Sequence, residues 1–233
     1  MAKLCIESIL SKTSSIEGWL SDEVAELLIK FARNSSVIVE VGSWKGKSTI
    51  NMALANSKAK IYAIDPFTGS QEHQHLADHD IDTFKAFLKN CRDFNVDGQI
   101  TPLRMNSDEA VSQIEEEIDL LFIDGSHEYP DVKADFENLF PKLKSGGVIA
   151  FHDSKWSGVK KVLWEDFFPN KNISGIQRIE DTSFARKLKI GKAKHRETNR
   201  AYLELEKSKQ KMKNLKRRLK RLGTRLGHKG SLE

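Results

Sequence analysis

Short β-branched runs alternate along the chain with segments of helical spacing. Val37–Val41 and Ile61–Ile64 are apolar and bounded by turn residues, and the helix-like segment Ser48–Ser57 separates them, a strand–helix–strand pattern. The alternation goes on with a helix near Ile81–Phe94, a strand near Ile100–Arg104, a helix from Asp108, the run Ile118–Asp124 and a helix over Pro130–Leu143. Val148–Phe151 follows the turn Ser145-Gly146-Gly147. After it come a helix through Val162–Phe168 and two further strands, Ile173–Ile179 and Ser183–Leu188. Strands alternating with helices in this order predict an α/β fold, a doubly wound and mostly parallel seven-stranded sheet with helices on both faces. The helix-rich stretch up to Ala32 is expected to pack on that sheet or to lid it.

Beyond Ile190 the texture changes. Tyr202, Leu205, Met212, Leu215, Leu219, Leu222 and Leu226 form an apolar stripe at heptad-like spacing that Ser208 interrupts, and most of the intervening residues are Lys or Arg. The expected organisation is a domain over residues 1–190 and a basic amphipathic helix over residues 191–233, a coiled coil or a partly ordered tail. Such a helix suits a homo-oligomer, or an anionic partner such as a membrane surface or nucleic acid.

Charge sharpens this division. The net charge of +5 over 233 residues conceals 18 Lys and Arg against 4 Asp and Glu in residues 186–233, leaving 20 against 29 in the remainder. The domain itself is acidic, so the basic balance gives no reason to read it as a nucleic-acid binder. With 39% apolar and 30% charged residues the composition is that of a globular protein. No apolar run approaches the ~18 residues of a bilayer span. The opening MAKLCIESILSK has no long apolar stretch or small-residue cleavage site, and Cys5 and Cys91 have no metal-ligand spacing, so a reducing, cytoplasmic setting is expected.

The segment VIVEVGSWKGKST ends like a phosphate-binding loop. A Walker A loop, however, needs four residues between its glycines to wrap a phosphate, and Gly42 and Gly46 enclose three. Trp44 stands where the dinucleotide fingerprint needs its second glycine, which disfavours an NAD-dependent oxidoreductase. What remains is Glu40, Gly42, Gly46 and a helix start. An acid at a strand tip suits a ligand that carries an ammonium and a sulfonium instead of phosphates. Asp65, closing YAID, is placed to take both hydroxyls of a ribose.

This E-x-G-x-x-x-G resembles motif I of class I S-adenosylmethionine-dependent methyltransferases. The stretch LLFIDGSHEYPDVKADFENLFPKLKSGGVIAFHDSKWSGVKKVLWEDF resembles methyltransferase family 24, with its I-D-G-x-H-x-Y-x-x-V-x-x-D…L-x-x-G-G-x-I-x-x-H-D pattern, a likeness running from about Val37 to Lys187. The resemblance implies a Rossmann-like fold and S-adenosylmethionine as methyl donor. It implies further that Glu40 holds the methionine amino end, that Gly42, Ser43, Gly46 and Ser48 form the turn the cofactor approaches, and that Asp65 binds ribose. Ser107 would face adenine, beside Met105 where a glycine is usual, and Asp124 would complete the cofactor set.

Candidate chemistry follows from the strand ends. Asp124 and Asp153 could together hold magnesium, as the related catechol-type and macrolide-sugar methyltransferases do. His152 stands where those relatives have an acid or amide, which weakens the case for magnesium and leaves manganese or another transition ion open. The alternative is that the two acids cap helices or orient side chains without a metal. His127, or else His152, is the candidate base that removes the acceptor's proton, with Asp124 beside them. The acceptor implied is a small molecule, with a sugar or glycan hydroxyl as first choice. A cofactor-binding but non-catalytic subunit assembling through the basic helix is the alternative. The polar run QEHQHLADHD, with His73, His75, Asp78, His79 and Asp80, lacks metal-ligand spacing and reads as a solvated loop. Trp44, Phe67 and Trp156 are candidates to line the site, and Tyr129 to pack over it.

Overall fold

The computed structural model describes residues 4–69 and 81–227, and the run QEHQHLADHD lies outside them. Helices α1 (Ile6–Thr13) and α2 (Asp22–Ala32) precede β1 (Val37–Val41), α3 (Lys47–Ala55) and β2 (Lys60–Ile64). Then follow α4 (Phe84–Asp93), β3 (Ile100–Leu103), the single turn α5 (Ser107–Ala110), β4 (Ile118–Ile123), α6 (Tyr129–Leu139) and β5 (Leu143–Phe151). Helix α7 (Ser157–Val162) runs into a π-helical turn, Leu163–Phe167, before the hairpin β6 (Ile173–Ile179) and β7 (Thr182–Lys187), and α8 (Ala193–Gly227) ends the described chain.

Among the described residues the strands form one sheet in the order β3-β2-β1-β4-β5-β7-β6. The first five are parallel, and β7 runs antiparallel between β5 and β6. The expected doubly wound, Rossmann-like sheet is therefore present, with its order reversing between β1 and β4. In open α/β sheets a ligand crevice opens at that reversal, outside the carboxyl ends of the strands.

Alternation along the strands sorts the core into two layers. Ile38, Ile61, Ala63, Leu120 and Phe122 face α1–α4, and Val39, Val41, Ile64, Leu121 and Ile123 face α5–α7. Every residue of β4 is buried, which marks it as the central strand. At the opposite end of the sheet Asp119 clamps β4 to the entry of β1, accepting the backbone N–H groups of Ser36 and Val37 at 2.7 and 2.8 Å.

Several boundaries differ from expectation: the helix expected from Ile81 begins at Phe84, the one expected over Val162–Phe168 begins at Ser157, and two further differences have a cause in the sequence. The helix anticipated to Leu143 stops at Leu139, because Pro141 has no N–H to donate to the preceding turn. The anticipated turn at Ser145-Gly146-Gly147 lies inside β5, where a register shift opposite Ile118 and Leu120 absorbs the glycines as a bulge. Packing also continues past residue 190. Leu203 and Glu206 are buried, and Asn199 donates to the carbonyls of Asn170 and Ile173 at 2.9 and 3.1 Å.

Candidate functional site

The sheet's hydrogen bonds continue one residue beyond the strands. Gly42 N–H donates to Ile64 O, Asp124 N–H to Val41 O, and His152 N–H to Ile123 O, at 2.8, 2.8 and 3.0 Å. Asp65 N–H reaches Leu103 O at 3.1 Å. The backbone thus lines up Gly42, Asp65, Asp124 and His152 along one carboxyl edge, and Asp153 follows directly.

The turn between β1 and α3 needs both of its glycines. Gly42 has φ +89°, and a Cβ there would lie 2.1 Å from Asp124 O. Gly46 has φ +90° against the ring of Phe87. Trp44 adopts φ 47°, held by its N–H to Asp65 Oδ2 at 2.7 Å. Asp65 also accepts Phe67 N–H at 2.5 Å, so its carboxylate ties the first two strand tips together while keeping lone pairs for further donors. Burial raises the Asp65 pKa, and these backbone donors oppose the rise.

Glu40 lies beneath the turn, fully buried on the Ile38 side of β1. Its Oε2 accepts the hydroxyls of Ser43, at 2.9 Å, and Thr49. Oε1 is buried without an aligned hydrogen bond. Burial pushes the Glu40 pKa up to about 7, against the pull of Ser48, Thr49 and Ser43. The sign for stability follows. Between an unfolded value near 4.5 and about 7 the folded chain keeps a proton that the unfolded chain has released, so stability falls as pH rises through that window. Glu40→Gln removes this contribution, on the order of 3 kcal/mol. Its urea midpoint relative to the parent should therefore rise between pH 5 and pH 8, and a constant difference across that range would refute the assignment.

Ser107 is buried, and its hydroxyl donates to Asp135 of α6. Asp135, raised to about 6 by burial, sits close under Gly125. It is the last Asp of the I-D-G-x-H-x-Y-x-x-V-x-x-D pattern, and its spacing could have marked it as a brace for the β4 tip.

At the β4 and β5 tips Asp124, His127, His152 and Asp153 meet, and Asp181 joins them from the β6–β7 hairpin. His152 Nδ1 lies 2.8 Å from Asp124 Oδ1 and 3.3 Å from Asp153 Oδ2, and Nε2 lies 3.5 Å from Asp181 Oδ1. His127 Nε2 and Asp153 Oδ2 are 2.9 Å apart, while the Trp156 ring stacks on His127 at 4.4 Å and 14°. Asp153 adopts φ 51°, a left-handed conformation that is costly for a residue with a Cβ. Burial alone would lower the His152 pKa, but Asp124 and Asp153 outweigh it and lift it to about 10. Burial raises Asp124, opposed by His152.

Asp124, His152 and Asp153 are the one group among the described residues that offers three ligand atoms within 4.8 Å of one another. The buried His152 Nδ1 has no aligned hydrogen bond although two carboxylates stand close by, an arrangement that a shared cation would satisfy. One imidazole nitrogen with carboxylate oxygens suits manganese or a later transition ion better than magnesium.

The structure brings Gly42, Asp65, Asp124, His127, His152 and Asp153 to one edge of the sheet. Sequence reasoning gave no sign of Asp181, which the β6–β7 hairpin returns to the centre, or of Trp19, whose exposed ring lies 5.8 Å from Trp44. Phe67 belongs to the core instead, packed on Phe84 and Phe87. Trp156 is 47% exposed beside the cluster. Tyr129 lies under Lys161, its ring centre 3.9 Å from Nζ.

Residues 39–154 match the family model for a methyltransferase domain of the family-24 type. An uncharacterised Sinorhizobium fredii protein is 30% identical over 143 residues, 59% of this chain, which spans only 15% of that protein's length. An uncharacterised protein of Acanthamoeba polyphaga mimivirus is 28% identical over 166 residues, covering 67% of this chain and 68% of its own. Among solved structures, the O-methyltransferase TomG of Streptomyces achromogenes in complex with S-adenosylmethionine superimposes with a TM-score of 0.57 at 13% identity, over 78% of this chain and 87% of its own.

Proposed function

We propose that this chain, a class I S-adenosylmethionine-dependent methyltransferase, moves the cofactor's methyl group to a sugar hydroxyl of a small molecule or glycan. The observation that carries the reading is His127, fixed between Asp153 and the ring of Trp156 at the edge where the cofactor turn ends.

In this reading Gly42 and Gly46 admit the cofactor to the backbone, with Ser43 and Ser48 in the turn. Glu40 Oε1, buried beneath the turn without an aligned hydrogen bond, meets the methionine ammonium from below, and Asp65 takes the ribose hydroxyls. Ser107, turned onto Asp135, holds the floor of the adenine side.

The acceptor oxygen attacks the methyl carbon as the carbon–sulfur bond breaks, its electron pair passing to sulfur. The oxygen becomes acidic as the new bond forms, and a base must take its proton. His127 fits that task better than His152, which is buried among three carboxylates. Asp153 Oδ2, 2.9 Å from His127 Nε2, orients the imidazole for that task. A divalent ion held by Asp124, His152 and Asp153 would polarise the acceptor hydroxyl. The exposed face of Trp156 offers a flat apolar platform for the C–H face of a sugar ring, next to polar groups that meet its hydroxyls.

The test is calorimetric titration with S-adenosylmethionine, with and without manganese or magnesium, followed by transfer of labelled methyl to a panel of sugar and phenolic acceptors. Micromolar binding and labelled sugar ethers support the reading. Labelling of phenols alone overturns the acceptor, and absence of cofactor binding overturns the whole assignment. Asp65→Ala should weaken cofactor binding by at least about tenfold through loss of charge-assisted hydrogen bonds, and unchanged affinity would remove Asp65 from the ribose site.

A further inference from the structure

Helix α8 has two faces that part company. On one, Asn199, Leu203 and Glu206 dock it on the domain, with Arg178 Nη1 3.1 Å from Glu206 and the Tyr202 ring edge-on to Phe168. On the other, Leu205, Met212, Leu215 and Leu219 are between 52% and 61% exposed. Every residue from Lys211 to Leu219 is exposed, so this part of the helix stands clear of the domain. These apolar residues recur at sevens, threes and fours, as a continuous seam does.

The charge around the seam is one-sided. Residues 207–226 hold ten Lys and Arg and no acid. Lys209 and Lys216 flank the seam on one side, Lys211 and Arg218 on the other. A second copy laid along the seam would face basic flanks with basic flanks in either orientation, a repulsion that coiled coils avoid. Nucleic acid would meet the charge but leave four large apolar side chains in water. An acidic helix would answer the flanks alone and leave Lys213 and Arg217 without a counterpart. A sheet of anionic headgroups over hydrocarbon answers both properties, since the apolar seam enters the acyl boundary while long basic side chains reach back to the headgroups.

We propose that the exposed part of α8 is a membrane-surface element that lies on anionic lipid, seated by Met212, Leu215 and Leu219 and held by the basic residues around them. The interaction goes beyond methyl transfer and uses no residue of the transfer site.

The full chain is sedimented with vesicles of phosphatidylcholine and with vesicles in which about one lipid in four is phosphatidylserine. Binding is expected to the second kind only, and to fall steeply as salt rises from about 0.1 to 0.5 M, where the Debye length shortens. The double variant Leu215→Ser/Leu219→Ser should lower partitioning by at least about tenfold. The variant Lys209→Gln/Lys213→Gln/Lys216→Gln/Arg217→Gln should do likewise through lost charge. Both variants should keep the parent's affinity for S-adenosylmethionine, which shows that the domain is folded. Three results would overturn the proposal: equal partitioning onto neutral vesicles, a dimer that the serine variant dissolves with no vesicle binding, or binding to duplex DNA that survives the serine changes with no vesicle binding.

Discussion

Gly42→Ala should weaken cofactor binding by more than about a hundredfold and bring the protein close to unfolding at physiological temperature. The added Cβ would stand 2.1 Å from the carbonyl oxygen of Asp124 and 2.7 Å from Gly125 Cα, both backbone atoms that cannot rotate away. The φ of +89° adds strain of its own. Left-handed strain and overpacking each cost roughly 1–3 kcal/mol, so the sum is about 4 kcal/mol, a large share of the stability of a domain this size. Relief can come only by parting the tips of β1 and β4, the two strands whose ends form the site. Thermal denaturation and calorimetry would both register the change, with affinity for S-adenosylmethionine reduced by more than about a hundredfold. If the variant instead bound cofactor within a few-fold of the parent, the turn would be absent from the cofactor site.

His127→Ala should be nearly silent in stability and in cofactor affinity, yet lower kcat by about 100- to 10,000-fold, the range that a positioned base contributes. The distinction matters because His127 also touches Asp153 and Trp156, so a purely structural role predicts a different pattern. Loss of position alone would lower the melting temperature and raise KM for the acceptor while leaving kcat largely in place. His127→Gln, which keeps a hydrogen-bond donor but cannot take up a proton, separates the two roles. Recovery of kcat by glutamine would remove His127 as the base.

Much of this architecture was legible in the sequence, because a parallel strand buried on both faces announces itself as an unbroken apolar run. Val37–Val41 and Ile61–Ile64 match the observed strands to within a residue. The glycines of the first turn were legible for a related reason, since each sits where a side chain would meet backbone or ring. The bulge in β5 was hidden because Ser-Gly-Gly reads equally as a turn, and only pairing with Ile118 and Leu120 decides between them. Asp181 was hidden because a hairpin brings it home across the sheet, a non-local event that composition does not encode. The tail shows the same limit. Its heptad-like stripe was visible, but the face that docks, marked by Asn199, Leu203 and Glu206, is set by the carbonyls and side chains it meets on the domain.

That docking has one more consequence. Strand β6 is the last in the sheet, and an edge strand offers unpaired backbone to any other chain. Asn199 of α8 caps the Ile173 carbonyl on this strand, and Leu203 keeps its apolar surroundings dry. The first turns of the helix thus act as a guard against sheet-to-sheet growth between molecules. A chain ended before His195 would leave that edge open, and it is expected to collect in aggregates instead of persisting as a smaller folded domain.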